Sequence, residues 1–253
     1  MFIVNAPVEK SIELENKINL LQVHCPEIAS IVKPGQFLNV RVSESMYPLL
    51  RRPFSVCDVQ GEHIFLMFNI LGEGTRILAK KHKDETIDII GPLGNGFNLL
   101  GDFSTAVIVA GGLGAAPFPF FTRMIGDKKK VLSFIGGRTY KDIITYGMSN
   151  ISVATEDGSK GFKGNVLQLL RQNIEQLKSE KVKIFSCGPT GMLKALKEFA
   201  IEFDIECEAS TECAMACGFG ICQGCPIESA HHPDKYHLVC KDGPVFNIRD
   251  VVL

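Results

Sequence analysis

Apolar and polar residues alternate in short runs over the first hundred positions, and turn-forming residues separate these runs. Runs of this kind, rich in β-branched and aromatic residues, predict β-strands. Short strands at regular spacing indicate a small barrel, with one helix at 75–81 in a connection. The strands are expected at 11–23, 36–42, 53–59, 63–70 and 85–90.

From position 104 the pattern changes to continuous apolar runs, with helical periodicity between them. A run without polar alternation is typical of a strand buried on both faces, and strands that alternate with helices indicate a parallel sheet covered by helices. The strands are expected at 106–110, 131–135, 151–155, 182–186 and 206–210, and the helices at 117–125, 165–177 and 190–203. The expected fold is a β barrel plus an α/β unit. We expect a barrel domain at 1–100, a parallel-sheet nucleotide-binding domain at 101–210 and a small cysteine-rich domain at 211–253.

Composition narrows the classes of function. The 253 residues carry a formal net charge of −1 and a hydrophobic fraction of 45%. A balanced charge argues against nucleic-acid binding and against electrostatic binding to a membrane. No apolar stretch approaches the roughly 20 residues that span a bilayer, and the first residues do not resemble a secretory signal. A cytoplasmic location is therefore expected, where disulfides are rare and the nine cysteines would be thiols.

Four cysteines near the C-terminal end have the spacing of a metal centre. Three follow the pattern C-x4-C-x2-C and a fourth comes later, which is the plant-type spacing for a [2Fe–2S] cluster. These ligands are Cys217, Cys222, Cys225 and Cys240. Structural zinc is the alternative, but zinc sites usually combine two C-x2-C pairs and this segment has one. Cys213 is either a bystander or an exchange ligand, and His231 and His232 would suggest Rieske ligation only if a cysteine were missing.

A second motif, in the barrel region, points to a flavin. It consists of Arg52, Pro53, Phe54 and Ser55. It resembles the R-x-Y-S or R-x-F-S signature of the ferredoxin–NADP reductase superfamily. Arg52 offers a fork of donors to a pyrophosphate, Ser55 can bond to the isoalloxazine edge, and Phe54 can present an aromatic face near it. Gly74 and Thr75 begin a helix whose free amides suit a phosphate. The alternative interpretation of this motif is structural, because an arginine before a proline is common at the edge of a strand.

The α/β region carries three turns that suit a dinucleotide. A glycine-rich turn between the first strand and its helix lets a pyrophosphate approach the backbone, and its sequence resembles the G-G-x-G-x-A-P of the same superfamily. A C-G-P turn after the fourth strand lies beside the nicotinamide in that superfamily. An acidic turn can bond ribose hydroxyls and repel a 2′-phosphate, which favours NAD over NADP. The residues are Gly111, Gly112, Gly114 and Pro117, then Cys187, Gly188 and Pro189, then Glu156 and Asp157. Each turn has an alternative interpretation. The glycine-rich turn could be a tight strand–helix turn without a ligand, Cys187 could be a small buried residue at a strand end, and the acidic turn could simply be solvated.

The order of flavin barrel, nicotinamide sheet and C-terminal cluster resembles the electron-transfer subunits of NAD-dependent dihydroorotate dehydrogenase. The segments that carry the resemblance include 51–55, 91–97, 215–225 and 240–246. The resemblance implies FAD, [2Fe–2S] and NAD as cofactors, with Met67, Phe68 and Asn69 as further FAD contacts. It also implies a heterotetramer of two such chains with two FMN-bearing catalytic subunits, acting in pyrimidine (UMP) biosynthesis.

The hypothesis is that electrons pass from the partner's FMN through the cluster and FAD to NAD⁺. No acid–base dyad or triad is evident in the sequence, so dihydroorotate oxidation itself is expected on the partner. One alternative is an NAD(P)H oxidoreductase subunit of the same superfamily that serves a ferredoxin or a hydrogenase. Another is a non-enzymatic, zinc-stabilised binding protein.

Overall fold

Six antiparallel strands close into a barrel in the first part of the chain. The computed structural model describes residues 1–253, apart from the side chain of Asp127. The strands pair in the order β1-β2-β5-β4-β3-β6. They are β1 (Phe2–Glu13), β2 (Asn19–His24), β3 (Phe37–Arg41), β4 (Arg52–Gln60), β5 (His63–Phe68) and β6 (Thr86–Leu93), with short helices α1 (Pro26–Ala29) and α2 (Glu73–Ala79) between them. The side chains on the inner face, including Leu38, Val56 and Phe68, form a closed apolar core.

The barrel differs from the expectation at its beginning. The run at 11–23 is two strands rather than one, because the chain turns at Glu15–Lys17, where Asn16 and Lys17 have φ values of 61° and 60°. β1 also begins earlier, at Phe2, since residues 2–7 pair with β6. Such a pairing between distant segments leaves no local signal in the sequence, which explains why the first half of β1 was not predicted.

A seven-stranded sheet forms the second part, in the order β10-β9-β8-β7-β11-β12-β15. All pairs except the last are parallel, as the apolar runs predicted. The strands are β7 (Thr105–Gly111), β8 (Lys130–Gly137), β9 (Ile151–Thr155), β10 (Phe162–Lys163), β11 (Val182–Cys187), β12 (Glu206–Ser210) and β15 (Val245–Asn247). The helices are α3 (Phe118–Ile125), α4 (Val166–Gln172), α5 (Ile174–Lys178) and α6 (Thr190–Glu202).

The helix expected at 165–177 is divided in two at Asn173. This residue has φ −98° and ψ 8°, and its side-chain amide donates to the Leu169 carbonyl at 2.8 Å. Asparagine favours such breaks because its side chain competes with the backbone for hydrogen bonds.

The cysteine-rich segment packs against both larger units. Its strands β13 (Pro226–Glu228) and β14 (Tyr236–Leu238) form a separate two-stranded sheet. β15 instead joins the large sheet antiparallel to β12. Cys225 and Cys240 share a small core with Phe37 and Leu93 of the barrel. The segment is therefore fixed at the junction of the barrel and the sheet.

The longest helix among the described residues, α6, has 13 residues. No helix in that part of the chain has both the length and the apolar character needed to cross a membrane.

Candidate functional site

The cysteine loop brings the four predicted ligands together as two pairs. In one pair the Cys222 amide donates to the Cys217 Sγ at 3.5 Å. In the other the Sγ atoms of Cys225 and Cys240 lie 3.1 Å apart, and the Cys240 amide lies 3.5 Å from the Cys225 Sγ. Among the described residues, no three Cys, His, Asp or Glu side chains surround a point where one metal ion would sit. Four thiols in two pairs are the number of ligands that a two-iron cluster of this type takes.

The thiols differ in their readiness to ionise. Partial burial acts to raise the pKa of Cys217, but backbone hydrogen bonds, those of Cys222 and Phe219 foremost, lower that pKa to about 6. Burial raises the pKa of Cys240 to about 12, and the neighbouring Cys225 adds to the effect. Because a bound metal ion deprotonates the thiols that coordinate it, the raised pKa of Cys240 is compatible with a role as a ligand.

Two of the further candidate ligands, Cys213 and His231, differ in position. Cys213 packs in the same small core as Cys225 and Cys240, and burial raises the pKa of its thiol to about 11, with Cys225 as a further cause. His231 instead pairs with Asp250, its Nε2 lying 3.0 Å from Oδ1. Cys213 is therefore a fifth thiol next to the predicted ligands, whereas His231 is paired with Asp250.

The segment that carries Cys240 is attached to the connection between the barrel and the sheet. The side-chain amide of Asn95 donates to the carbonyls of Lys241 (3.3 Å) and Asp242 (2.9 Å), and the Asn95 amide donates to the Gly243 carbonyl at 2.5 Å. The two motifs at 91–97 and 240–246 therefore pack against each other, although sequence reasoning treated them separately.

Arg52 and the start of α2 form the candidate phosphate site. A Cβ at Gly74 would lie 2.6 Å from the Arg52 Nε, so a larger residue there would displace the Arg52 side chain. The Thr75 Oγ1 accepts hydrogen bonds from the amides of Leu71 (3.0 Å) and Gly72 (3.2 Å), which caps the helix. The guanidinium of Arg52 also donates to the Leu50 carbonyl. Two segments about twenty residues apart thus meet, as a shared phosphate site requires.

A cleft of about 200 Å³ lies where the barrel, the sheet and the cysteine segment meet. Pro53 and Ser55 line it from β4, Cys187 from the end of β11, and Glu212 and Cys213 from the cysteine segment. Burial raises the pKa of Cys187 to about 12, and the nearby Glu212 adds to this. Glu212 is exposed at the rim, but the surrounding protein still desolvates its carboxyl and raises its pKa.

Phe54 does not face this cleft. Because alternate residues of a strand point to opposite faces, Phe54 points into the barrel core, where its ring lies 5.6 Å from that of Phe68. Phe68 is also buried in the barrel core, whereas Met67 is buried between the barrel and the sheet. Asn69, just after β5, is half-buried.

The glycine-rich turn after β7 packs directly on the C-G-P turn after β11. A Cβ at Gly114 would lie 2.3 Å from the Cys187 carbonyl oxygen, and one at Gly111 would lie 2.9 Å from the Pro189 Cδ. Gly188 likewise has its nearest backbone neighbour in Gly111. Both turns are at the carboxyl ends of adjacent parallel strands, the edge at which α/β sheets bind nucleotides. Gly112 (φ 54°) is half-buried in the same turn, and Pro117 is the N-cap residue just before α3.

The acidic turn after β9 lies beside the end of β8. The Asp157 amide donates to the Arg138 carbonyl at 3.1 Å, and the Glu156 amide to the Gly137 carbonyl at 3.1 Å. The Asp157 Oδ1 accepts from the amide (2.9 Å) and hydroxyl (2.6 Å) of Ser159. Those bonds from Ser159 outweigh desolvation and hold the pKa of Asp157 below its usual range.

Sequence reasoning missed four polar residues near these sites. Two are asparagines that hold the cysteine segment, and two are charged residues beside the cleft and the acidic turn. They are Asn39, Asn95, Glu212 and Arg138. Asn95 lies inside the motif at 91–97 and Glu212 inside the expected cysteine-rich domain, so their positions gave a signal. Nothing local marked Asn39, whose partner is 178 residues away.

Comparison with known proteins gives consistent matches. The family model described as "Iron-sulfur cluster binding domain of dihydroorotate dehydrogenase B" matches residues 212–252. Proteins named "Dihydroorotate dehydrogenase B (NAD(+)), electron transfer subunit" are similar over most of the chain. The protein from Desulforamulus reducens is 35% identical over 241 residues, covering 92% of this chain and 91% of the relative. The protein from Bacillus mycoides is 38% identical over 232 residues, covering 87% of each.

Solved structures share the architecture. A structure titled "Insights into flavin-based electron bifurcation via the NADH-dependent reduced ferredoxin-NADP oxidoreductase structure" aligns with a TM-score of 0.86 at 24% identity. It covers 98% of this chain and 90% of that one. A ferredoxin NADP⁺ reductase from Neisseria gonorrhoeae with bound FAD and NADP aligns with a TM-score of 0.64 at 20% identity, covering 79% and 91%. At these identities the likeness concerns the fold, and it confirms the ferredoxin-reductase-like barrel and sheet that the sequence predicted.

Proposed function

The chain belongs to the family of electron transfer subunits of NAD⁺-dependent dihydroorotate dehydrogenase B, and from that premise we propose how it works. It is an oxidoreductase subunit that receives electrons from an FMN-bearing catalytic partner and delivers them to NAD⁺ in pyrimidine biosynthesis. Its cofactors are a [2Fe–2S] cluster and FAD. A cluster exchanges single electrons whereas NAD⁺ takes two with a proton, and a flavin supplies the conversion between them.

One observation carries the proposal: the three motifs border a single cleft. Ser55 of the flavin motif, Cys187 of the nicotinamide motif and Cys213 all line it, and Cys213 packs in one core with the cluster ligand Cys225. Groups that exchange electrons and a hydride must be close together.

Each motif then has a role in the proposal. Arg52 and the amides at Gly74 and Thr75 bind the FAD pyrophosphate, while Pro53 and Ser55 flank the isoalloxazine. The turn at 111–114 binds the NAD pyrophosphate, Glu156 and Asp157 bind a ribose, and the Cys187–Pro189 turn borders the nicotinamide. The four thiolates Cys217, Cys222, Cys225 and Cys240 bind the cluster. These residues bind, orient and exclude water, whereas the acid–base chemistry of dihydroorotate belongs to the partner.

The partner is proposed to approach the exposed edge of the cysteine loop. Cys225 and Cys240 are buried against the barrel, whereas Cys222 is exposed and the neighbouring Ile221 is 76% exposed. A partner at this edge would come nearest to Cys222, the one of the four proposed ligands that is exposed. We propose two such chains and two catalytic subunits in the assembly, within the cytoplasm, where nine unpaired thiols would remain reduced.

The test is to co-express the chain with a dihydroorotate dehydrogenase catalytic subunit and purify the complex anaerobically. The visible spectrum, iron and sulfide content and extracted flavin identify the cofactors. Dihydroorotate-dependent formation of NADH is the expected activity. A complex with all cofactors that reduces ferredoxin with NADH, but does not oxidise dihydroorotate, would support the alternative oxidoreductase. A colourless protein that contains zinc would support the binding-protein alternative.

A further inference from the structure

Asn39 lies on the outer face of the barrel, between the flavin strand and the cysteine loop. Its neighbours Leu38 and Val40 point into the barrel core, so Asn39 points outward. It is nevertheless only 1% exposed, because the cysteine segment covers it. A buried amide on an outer face indicates a specific partner.

That partner is the first predicted cluster ligand. The Asn39 Nδ2 donates to the Cys217 carbonyl oxygen at 2.9 Å. The contact is close-fitting, since a Cβ on Gly218 (φ 84°) would lie 2.7 Å from the same nitrogen. The Asn39 Oδ1 is buried and has no hydrogen-bond partner among the described residues. An apolar side chain of this shape would avoid leaving that oxygen unsatisfied, so stability of the barrel alone does not explain an asparagine here.

The backbone of Asn39 is rigidly attached to the flavin strand. Asn39 pairs with Pro53 across β3 and β4, and Arg51 donates from Nη1 to the Asn39 carbonyl at 3.4 Å. Arg51 is itself fixed by Asp88, at 2.7 Å from Nη2 to Oδ2. Phe37, on the same face of β3, lines the cleft together with Pro53. One pair of strands therefore carries both a wall of the cleft and the contact to Cys217.

The Asn39 hydrogen bond orients a peptide group of the cluster loop. In a trans peptide the carbonyl and the following amide point in opposite directions, so the bond to the Cys217 carbonyl turns the Gly218 amide away from Asn39. A donor at the carbonyl also polarises the peptide and strengthens its amide as a donor. The reduction potential of an iron–sulfur cluster depends on the amides and dipoles around its sulfurs.

We propose that Asn39 is a positioning residue that orients the Cys217–Gly218 peptide, raises the reduction potential of the cluster, and holds the cluster at a fixed place relative to the flavin cleft. This inference rests on the proposed function, because it presumes that the loop holds a [2Fe–2S] cluster beside FAD.

The experiment compares Asn39→Leu, which keeps the shape and loses the donor, with the smaller Asn39→Ala, which cannot clash. The control is Ser133→Ala, which also alters a fully buried polar group without a partner, but on β8. Each complex is purified with its catalytic subunit, iron and flavin are quantified, and the cluster is titrated redox-potentiometrically by electron paramagnetic resonance. Both Asn39 variants should show a more negative cluster potential and altered g-values, with flavin content unchanged. Ser133→Ala should match the parent protein.

The outcomes separate this inference from the proposed function. A parent complex without iron and flavin would refute the proposed function itself. A loaded parent complex whose Asn39 variants keep its cluster potential and g-values would overturn the role of Asn39 alone. Loss of flavin together with iron in both variants would also overturn it, because Asn39 would then support the fold as a whole.

Discussion

Asp58 on the barrel and Arg123 on α3 form a two-pronged ion pair that joins the flavin and nucleotide units. The Arg123 Nε lies 2.8 Å from Oδ1 and its Nη2 lies 2.6 Å from Oδ2 of Asp58. The Asp58 side chain is 2% exposed, whereas that of Arg123 is 51% exposed. Under the proposed function, the cofactors bound to the two units would face each other across one cleft, so this fixed contact would serve electron transfer as well as stability.

Removing the cation of this pair should destabilise the protein. Arg123→Met keeps the aliphatic stem but leaves the buried Asp58 carboxylate without its cation, which we expect to lower the free energy of unfolding by about 2 kcal/mol. The matched control is Arg171→Met, whose two-pronged pair with Glu202 is about half exposed on both sides. That change should cost clearly less, because water screens an exposed ion pair. Urea unfolding of the three proteins, followed by circular dichroism, measures both values. Equal losses in the two variants would contradict the assigned role.

The same pair predicts a pH dependence. Burial acts to raise the pKa of Asp58, but hydrogen bonds from Arg123 and Gln60 outweigh it and leave that pKa below its ordinary value. A lowered pKa in the folded protein means that the carboxylate stabilises the fold above its unfolded pKa, about 3.9, and that this stabilisation is lost as the pH falls through the folded value. The difference in unfolding free energy between the parent protein and Asp58→Asn should therefore be constant from pH 5 to pH 8 and shrink below about pH 4. A difference that changes between pH 6 and pH 8 would point to another titrating group.

The phosphate site can be tested through the close approach of Gly74 to Arg52. Gly74→Ala would place a methyl group 2.6 Å from the guanidinium Nε and so displace the residue proposed to bind the pyrophosphate. We expect the dissociation constant of FAD to rise at least tenfold, about 1.4 kcal/mol. Gly72→Ala is the control, since a Cβ there meets no atom within 4 Å. Titration of flavin-free protein with FAD, followed by flavin fluorescence, gives both constants. Tight binding by Gly74→Ala would place the phosphate elsewhere.

The sequence predicted those parts of the molecule that depend on local patterns. The parallel strands β7 and β11 lie where continuous apolar runs placed them, because burial on both faces leaves a clear signature in composition. Features that depend on pairing between distant segments were not predictable. The first half of β1 needs β6 as its partner, and the alternation that turns Phe54 into the core is decided by the strand's register in the barrel.

The site shows the same division. The spacing of the cysteines alone predicted which of them form one loop. The turns that carry Gly114 and Cys187 were each predicted from a separate motif. That these turns touch follows from β7 and β11 being neighbours in the sheet, which a single sequence does not reveal. The hydrogen bond from Asn39 to Cys217 depends on the packing of a whole segment onto the barrel, so no motif could have indicated it.

Substitution of Cys213 and Cys240 tests which of these two thiols binds the cluster. Cys240→Ser should lower the iron content of the purified complex to less than half of the parent value, because the buried pair with Cys225 loses the thiolate that a cluster needs. Cys213→Ser, in the same small core, should retain the parent iron and sulfide content, since four ligands remain. Iron and sulfide analysis with the visible spectrum distinguishes the two variants. The reverse result, with iron lost from Cys213→Ser and kept by Cys240→Ser, would make Cys213 the fourth ligand. The cluster would then lie nearer the flavin cleft that Cys213 lines.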